Sequence, residues 1–179
     1  MHLLHFSENA SILRFEPRPV RTPAKRPVGK EWLNGPLVWA IDEDHQHLCL
    51  FPRECPRVVM WATDDTTEED RKAWLEPMPA GMRALAFIER CWLERLARAT
   101  VFRYELPRDS FIDIEDVGMH VSRSVVVPSG STGLTDLRSA LGACRVHLQV
   151  LDSLLPLKTA WASSLHVSGI RLRNAIGWK

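Results

Sequence analysis

The chain has 179 residues, 45% of them hydrophobic and 25% charged, which suits a packed core in a single domain spanning 1–179 and rules out a disordered chain. Basic and acidic side chains nearly cancel, 23 against 22. That balance removes the electrostatic case for a globally basic nucleic-acid or membrane-surface binder.

No run of 18 apolar residues occurs, so no membrane-spanning helix is expected. Residues 1–8 lack the basic start and long apolar stretch of a secretory signal, and the expected compartment is the cytoplasm. Cys49, Cys55, Cys91 and Cys144 include no Cys-x-x-Cys pair. They read as reduced, mostly buried thiols rather than as a zinc knuckle or disulfides.

Residues 3–6 (Leu-Leu-His-Phe) predict an opening strand, followed by a turn at 7–9. Residues 16–30 hold Pro17, Pro19, Pro23 and Pro27 among Arg18, Arg21, Lys25, Arg26 and Lys30. Each proline removes a backbone donor and disfavours helix before it, so this is an extended basic loop. It reads as a solvated linker or as a cationic flap beside an anionic ligand. Residues 37–42 (Leu-Val-Trp-Ala-Ile-Asp) predict a strand covered on both faces, with Asp42 capping a short helix over 43–51.

A strand over 57–63 and a helix over 68–75 come next. The three- and four-residue spacing of Leu85, Ile88, Trp92 and Leu96 predicts a helix over 84–98. Residues 100–106 alternate as a half-exposed strand, and 121–127 predict another. The Ser-Gly-Ser-Thr-Gly stretch after Pro128 reads as a loop, and it lacks the Lys-Ser or Lys-Thr of a P-loop. A helix carrying Leu134, Leu137 and Leu141, a strand over 146–151 and a last helix carrying Leu154, Leu157 and Trp161 complete the chain. This irregular alternation favours an α+β fold, a mixed or antiparallel sheet with flanking helices.

Several groups of residues carry possible chemistry. His5 and Ser7 close the opening strand, where a side chain is held rigidly yet reaches a ligand. The plainer reading is a partly buried histidine and a turn-forming serine. His45 and His47, with Asp42 or Glu43, invite a metal, but helical positions two apart point away from each other. Arg53 and Arg57 flank Pro56 in a stiff turn suited to an anion, with Glu54 as a local ion-pair partner. Glu105 follows Arg103 and Tyr104 on a predicted strand, and Arg171 and Arg173 form a last anion patch.

The stretches 5–8 (His-Phe-Ser-Glu), 15–18 (Phe-Glu-Pro-Arg), 38–42 (Val-Trp-Ala-Ile-Asp), 51–57 (Phe-Pro-Arg-Glu-Cys-Pro-Arg) and 168–174 (Ser-Gly-Ile-Arg-Leu-Arg-Asn) resemble a family of bacterial proteins of unknown function over almost the whole chain. The chain is also similar, more remotely, to the ADP-ribosyltransferase fold and its relatives, which include RNA 2′-phosphotransferases. That resemblance implies a pocket for NAD or a similar ligand. His5 matches the first-strand residue and residues 39–42 the second motif, with Ile41 where a hydroxyl residue is usual. Glu105 and Glu115 are the candidates for the final catalytic carboxylate.

Three functional readings follow. In the first, the protein binds a small nucleotide-like anion, with His5 and Ser7 on the ribose, Arg18 or Arg53 on the phosphate, Trp39 and Asp42 lining the pocket, and His5 and Glu105 as catalytic groups. In the second, a metal-dependent enzyme uses the His45/His47 region. In the third, a non-catalytic module presents Trp32 and Trp178 to a protein partner.

Overall fold

A computed structural model of the protein describes residues 3–76 and 78–178. The architecture is α+β, and the chain divides into two compact units, Met1–Gln46 with Val101–Leu134 and His47–Thr100 with Thr135–Lys179.

The first unit is a six-stranded antiparallel sheet built from β1 (Leu3–Ser7), β2 (Val38–Ile41), β5 (Val101–Leu106), β6 (Ile112–Asp113), β7 (Met119–Ser122) and β8 (Gly130–Leu134), in the order β6-β7-β2-β1-β5-β8. The opening strand lies inside the sheet because its apolar residues suit cover on both faces. Leu4 stands opposite Ile41 on one side and Glu105 on the other, and His5 stands opposite Tyr104. Side chains alternate between faces along each strand, so the register sorts them. One face carries Leu3, Val38, Ala40, Tyr104 and Leu106, packed with Phe15 and Val126. On the other, Trp39 and Met119 pack with Val121, Leu33, Leu37 and Ile114.

The second unit holds β3 (Arg57–Trp61), β4 (Ala84–Glu89), β9 (Val146–Leu151) and β10 (His166–Ile170) in the order β10-β3-β4-β9. The β4–β9 pair is parallel and the others antiparallel. Among the described residues the unit's α-helices are α1 (Glu68–Leu75), α2 (Leu93–Arg98) and α3 (Leu137–Ala143). Thr67 caps α1 by accepting from the Asp70 amide, and Asp136 caps α3 by accepting from Ser139. Val58, Met60, Leu85, Phe87, Leu154 and Leu157 form the core on one face of this sheet.

Several expected elements differ; the strand expected over 121–127 ends at Ser122, and Leu134 closes β8 instead of joining Leu137 and Leu141 on α3. Residues 84–98 are not one helix: 84–89 form β4, a 3₁₀ turn follows at Arg90–Trp92, and only Leu93–Arg98 are α-helical. All six β4 residues are buried, and because 84–88 are apolar at every position they match helical spacing by default. Residues 43–51 form turns and a 3₁₀ helix at Gln46–Cys49 rather than an α-helix. The Ser-Gly-Ser-Thr-Gly stretch is edge strand β8, recruited by pairing with β5 although its own residues are small and mostly exposed. The last helix is 3₁₀, Leu155–Ala162, and leaves Trp161 44% exposed instead of in the core.

Two thiol expectations divide. All four cysteines are free, but Cys91 is exposed. Burial pushes the Cys55 thiol up to about 12, which leaves it an inert apolar filler.

Candidate functional site

The basic loop of the first unit is tied down rather than free. Arg18 exchanges backbone hydrogen bonds with Leu37 (3.2 and 3.1 Å), and Asn34 holds Ala24 and the Arg26 side chain. The Lys30 ammonium donates to the Ile114 carbonyl at 3.0 Å. These ties set the Arg26 guanidinium over the Trp39 indole, 5.6 Å from its centroid. Arg18 itself is exposed, and its described contacts here are through its backbone.

Trp39 and Ile41, with Leu4 and Phe6, Arg103 and Glu105, share one face across β2, β1 and β5. Trp39 and Arg103 are two strand spacings apart, roughly 10 Å. Two donors on this face, Trp39 Nε1 and Arg103 Nε, are buried without a hydrogen-bond partner. Arg103 reaches Gln46 Oε1 through Nη1 at a long 3.4 Å. An unsatisfied buried donor costs about 1–3 kcal/mol, so two on one face are unusual. Glu105 stands beside Gly130, where an added Cβ would come 3.8 Å from Oε2.

His5 and Ser7 point to the opposite face. The His5 ring lies 4.5 Å from Phe15, and its Nδ1–H donates to the Trp39 carbonyl at 2.7 Å. Ser7 Oγ accepts from the Asn9 amide at 3.1 Å. Tyr104 closes this side by donating to the Asn9 carbonyl (2.6 Å) and accepting from the Ile12 amide (3.1 Å). His5 thus fastens β1 to β2 from behind, while the Trp39 indole points forward. The register therefore separates His5 and Ser7 from Trp39 and Glu105.

At the end of β2, Asp42 Oδ1 accepts from the His45 amide (2.8 Å) and pairs with His45 Nδ1 (2.8 Å). Gly118 (φ +67°) closes over them so tightly that a Cβ there would lie 2.3 Å from Asp42 Oδ2. Glu115, in the same turn, is exposed with φ +57°. His120, 3% exposed, has its Nε2 3.8 Å from Asp113 Oδ2.

His47 belongs to the second unit, where its Nδ1 accepts from Arg83 Nη2 at 3.2 Å and its ring meets Trp61 edge-on. His45 and His47 are thus divided between the units. Among the described residues, no group of three or more His, Cys, Asp or Glu side chains is placed to hold a metal ion.

Arg53 also belongs to the second unit and is exposed. Arg57, expected beside it as an anion ligand, is buried instead. Its Nε and Nη2 donate to the Leu48 carbonyl (2.9 and 2.6 Å) and its Nη1 to the Cys55 carbonyl (3.0 Å), stapling the 48–55 loop. Of the two tryptophans expected to meet a partner, Trp32 is 37% exposed beneath the Arg123 guanidinium, and Trp178 is half-buried against Trp161 and Lys158.

Sequence reasoning named Trp39 and Glu105 but missed Arg26 and Arg103 as their companions. The signal for Arg103 was its spacing of two from Glu105 on a strand. No helix among the described residues is long and apolar enough to cross a membrane. A protein-family model matches residues 4–175, and its description is a family of unknown function (DUF6886). No curated protein and no solved structure matches the chain.

Proposed function

The chain belongs to this family of unknown function, and from that premise we propose that the Trp39–Arg103 face of the first unit binds a nucleotide-like anionic ligand of the NAD or ADP-ribose type. The observation that carries the reading is the pair of buried donors, Trp39 Nε1 and Arg103 Nε, on one face without partners. A ligand oxyanion supplies the acceptors they lack, and the charged Arg103 makes the stronger bond. Arg26 adds a second guanidinium over the indole.

Trp39 and Phe6, neighbours on this face, offer aromatic surface for a base, which favours a nucleotide over a bare anion. The resemblance of the β1 and β2 motifs to the ADP-ribosyltransferase fold points to the same ligand class. In this reading Glu105 is the carboxylate on the ligand face, and His5 and Asp42 act as positioning groups at the back and the end of β2.

Calorimetry and thermal shift with NAD, ADP-ribose and AMP test this. Saturable binding is expected, with about 2.7 kcal/mol of added stability at 100 times the dissociation constant. Trp39→Phe, which keeps an aromatic ring and removes the indole donor, weakens binding, and Arg103→Met abolishes it. No heat and no melting shift at millimolar ligand would overturn the reading.

A further inference from the structure

The two edges of the first unit's sheet are unlike. One edge, β6, is two residues long and carries Asp113. Natural sheets blunt their edges in this way, with short strands, charges or prolines, because a row of unpaired N–H and C=O groups accepts a further strand. The other edge, β8, is five residues long and holds no charged residue and no proline. Ser131, Thr132 and Gly133 are exposed, and among the described residues β8 hydrogen-bonds to β5 alone. Backbone groups alternate sides along a strand, so half of those on β8 face outward.

A carboxylate leans over this edge. Glu105 stands opposite Gly130, and a Cβ added at Gly130 would meet its Oε2 at 3.8 Å. Glu105 is half-buried, and the Ser129 amide (2.9 Å) and hydroxyl (3.2 Å) bond to its backbone carbonyl, not to its side chain. Among the described residues, no hydrogen bond or ion pair reaches the Glu105 carboxylate. Arg103, its neighbour on the same face, reaches Gln46 instead. A carboxylate partly withdrawn from water gains most from a charged donor.

We propose that the β8 edge takes an extended segment of a partner protein as a seventh strand, with a lysine or arginine of that segment opposite Gly130 and bonded to Glu105. Main-chain hydrogen bonds along β8 hold the segment, and the basic side chain sets its register and identity. A residue opposite Gly130 shares the face of Glu105, two strand spacings or roughly 10 Å away, a gap that a long basic side chain spans. Gly130 matters because it puts no side chain between the two. A second copy of the chain fits less well. Residues 129–135 hold no lysine or arginine, so two β8 edges paired together bring no cation to Glu105. The proposal shares Glu105 with the nucleotide reading but does not rest on it.

Two capped peptides test the edge, Thr-Val-Thr-Arg-Thr-Val-Thr and the same peptide with glutamine for arginine, titrated into the full chain without nucleotide. Affinity is read from NMR chemical shifts, and position from amide hydrogen exchange. The arginine peptide is expected to slow exchange in 130–134 and to bind about fivefold tighter than the glutamine peptide, the scale of one partly exposed ion pair. Glu105→Gln is expected to erase that preference while both peptides still bind. Gly130→Thr, whose Cβ meets Glu105 only at ordinary contact distance, is a second variant and is expected to reduce the preference and keep main-chain docking.

No binding of the arginine peptide at millimolar concentration, protection elsewhere than β8, equal affinity for the two peptides, or a preference that survives in Glu105→Gln overturns the proposal. So does a concentration-dependent dimer that protects β8 without peptide, which assigns the edge to a second copy. Nucleotide is absent throughout, so failure here leaves the nucleotide reading standing, and failure of that reading leaves this one.

Discussion

Two buried charged groups of the second unit, Glu89 and Arg57, differ from two buried donors of the first, Trp39 Nε1 and Arg103 Nε. In the second unit, Glu89 is fully buried in β4, yet its carboxylate accepts from the Ile176 amide at 2.9 and 3.2 Å and from the Leu154 amide at 3.4 Å. Arg57 likewise directs three of its nitrogens at carbonyls. Each charge fastens a non-regular segment to the sheet. In the first unit, Trp39 Nε1 and Arg103 Nε are equally buried and have no acceptor. A buried polar group that is satisfied by backbone serves the fold, whereas one held unsatisfied stabilises nothing until something else binds.

That contrast breaks most visibly under substitution. Glu89→Ala strands the 154 and 176 amides and opens a cavity, and is expected to cost about 2–4 kcal/mol in urea unfolding, with the tail beyond β10 exchanging faster by hydrogen exchange. Arg103→Met removes an unsatisfied donor and is expected to change stability by less than about 1 kcal/mol, in either direction, while ligand binding is lost. If Arg103→Met destabilises as much as Glu89→Ala, Arg103 is a structural staple too, and the distinction between the units fails.

A smaller effect sharpens the same comparison through pH. Asp70 on α1 accepts from the Ser164 hydroxyl (2.6 Å) and amide (2.7 Å), and these bonds hold its carboxyl below the usual carboxylate range. A lowered folded value means that the contribution is present above the unfolded value and is lost as pH falls through the folded one. Asp70→Asn should therefore melt below the wild type near neutral pH. The gap should close in acid, below the range of ordinary carboxylates. A gap that persists at low pH would show that the contact does not depend on the charge.

Much of the frame is legible in the sequence. The opening strand, the strands after residues 37, 57 and 100, the Thr67-capped helix over 68–75 and the α+β class all follow from local chemistry. Asp42 reads as the cap of a helix over 43–51; its carboxylate does accept from the 45 amide, but in a turn. What failed did so where local signals are silent: the apolar run 84–88 matches helical spacing by default, and only burial between two neighbouring strands makes 84–89 a strand.

The candidate site divides along the same line. The sequence alone singled out Trp39 and Glu105 as candidates and placed Arg103 two residues before Glu105 on a strand. Only the tertiary structure decided which of them meet. Strand register set Trp39, Arg103 and Glu105 on one face and turned His5 and Ser7 to the other, because a strand's side chains alternate and one residue of register decides the side. The junction of 53–54 with 171–174, 118 residues apart where Arg171 meets Arg53, is likewise set by the pairing of β10 with β3.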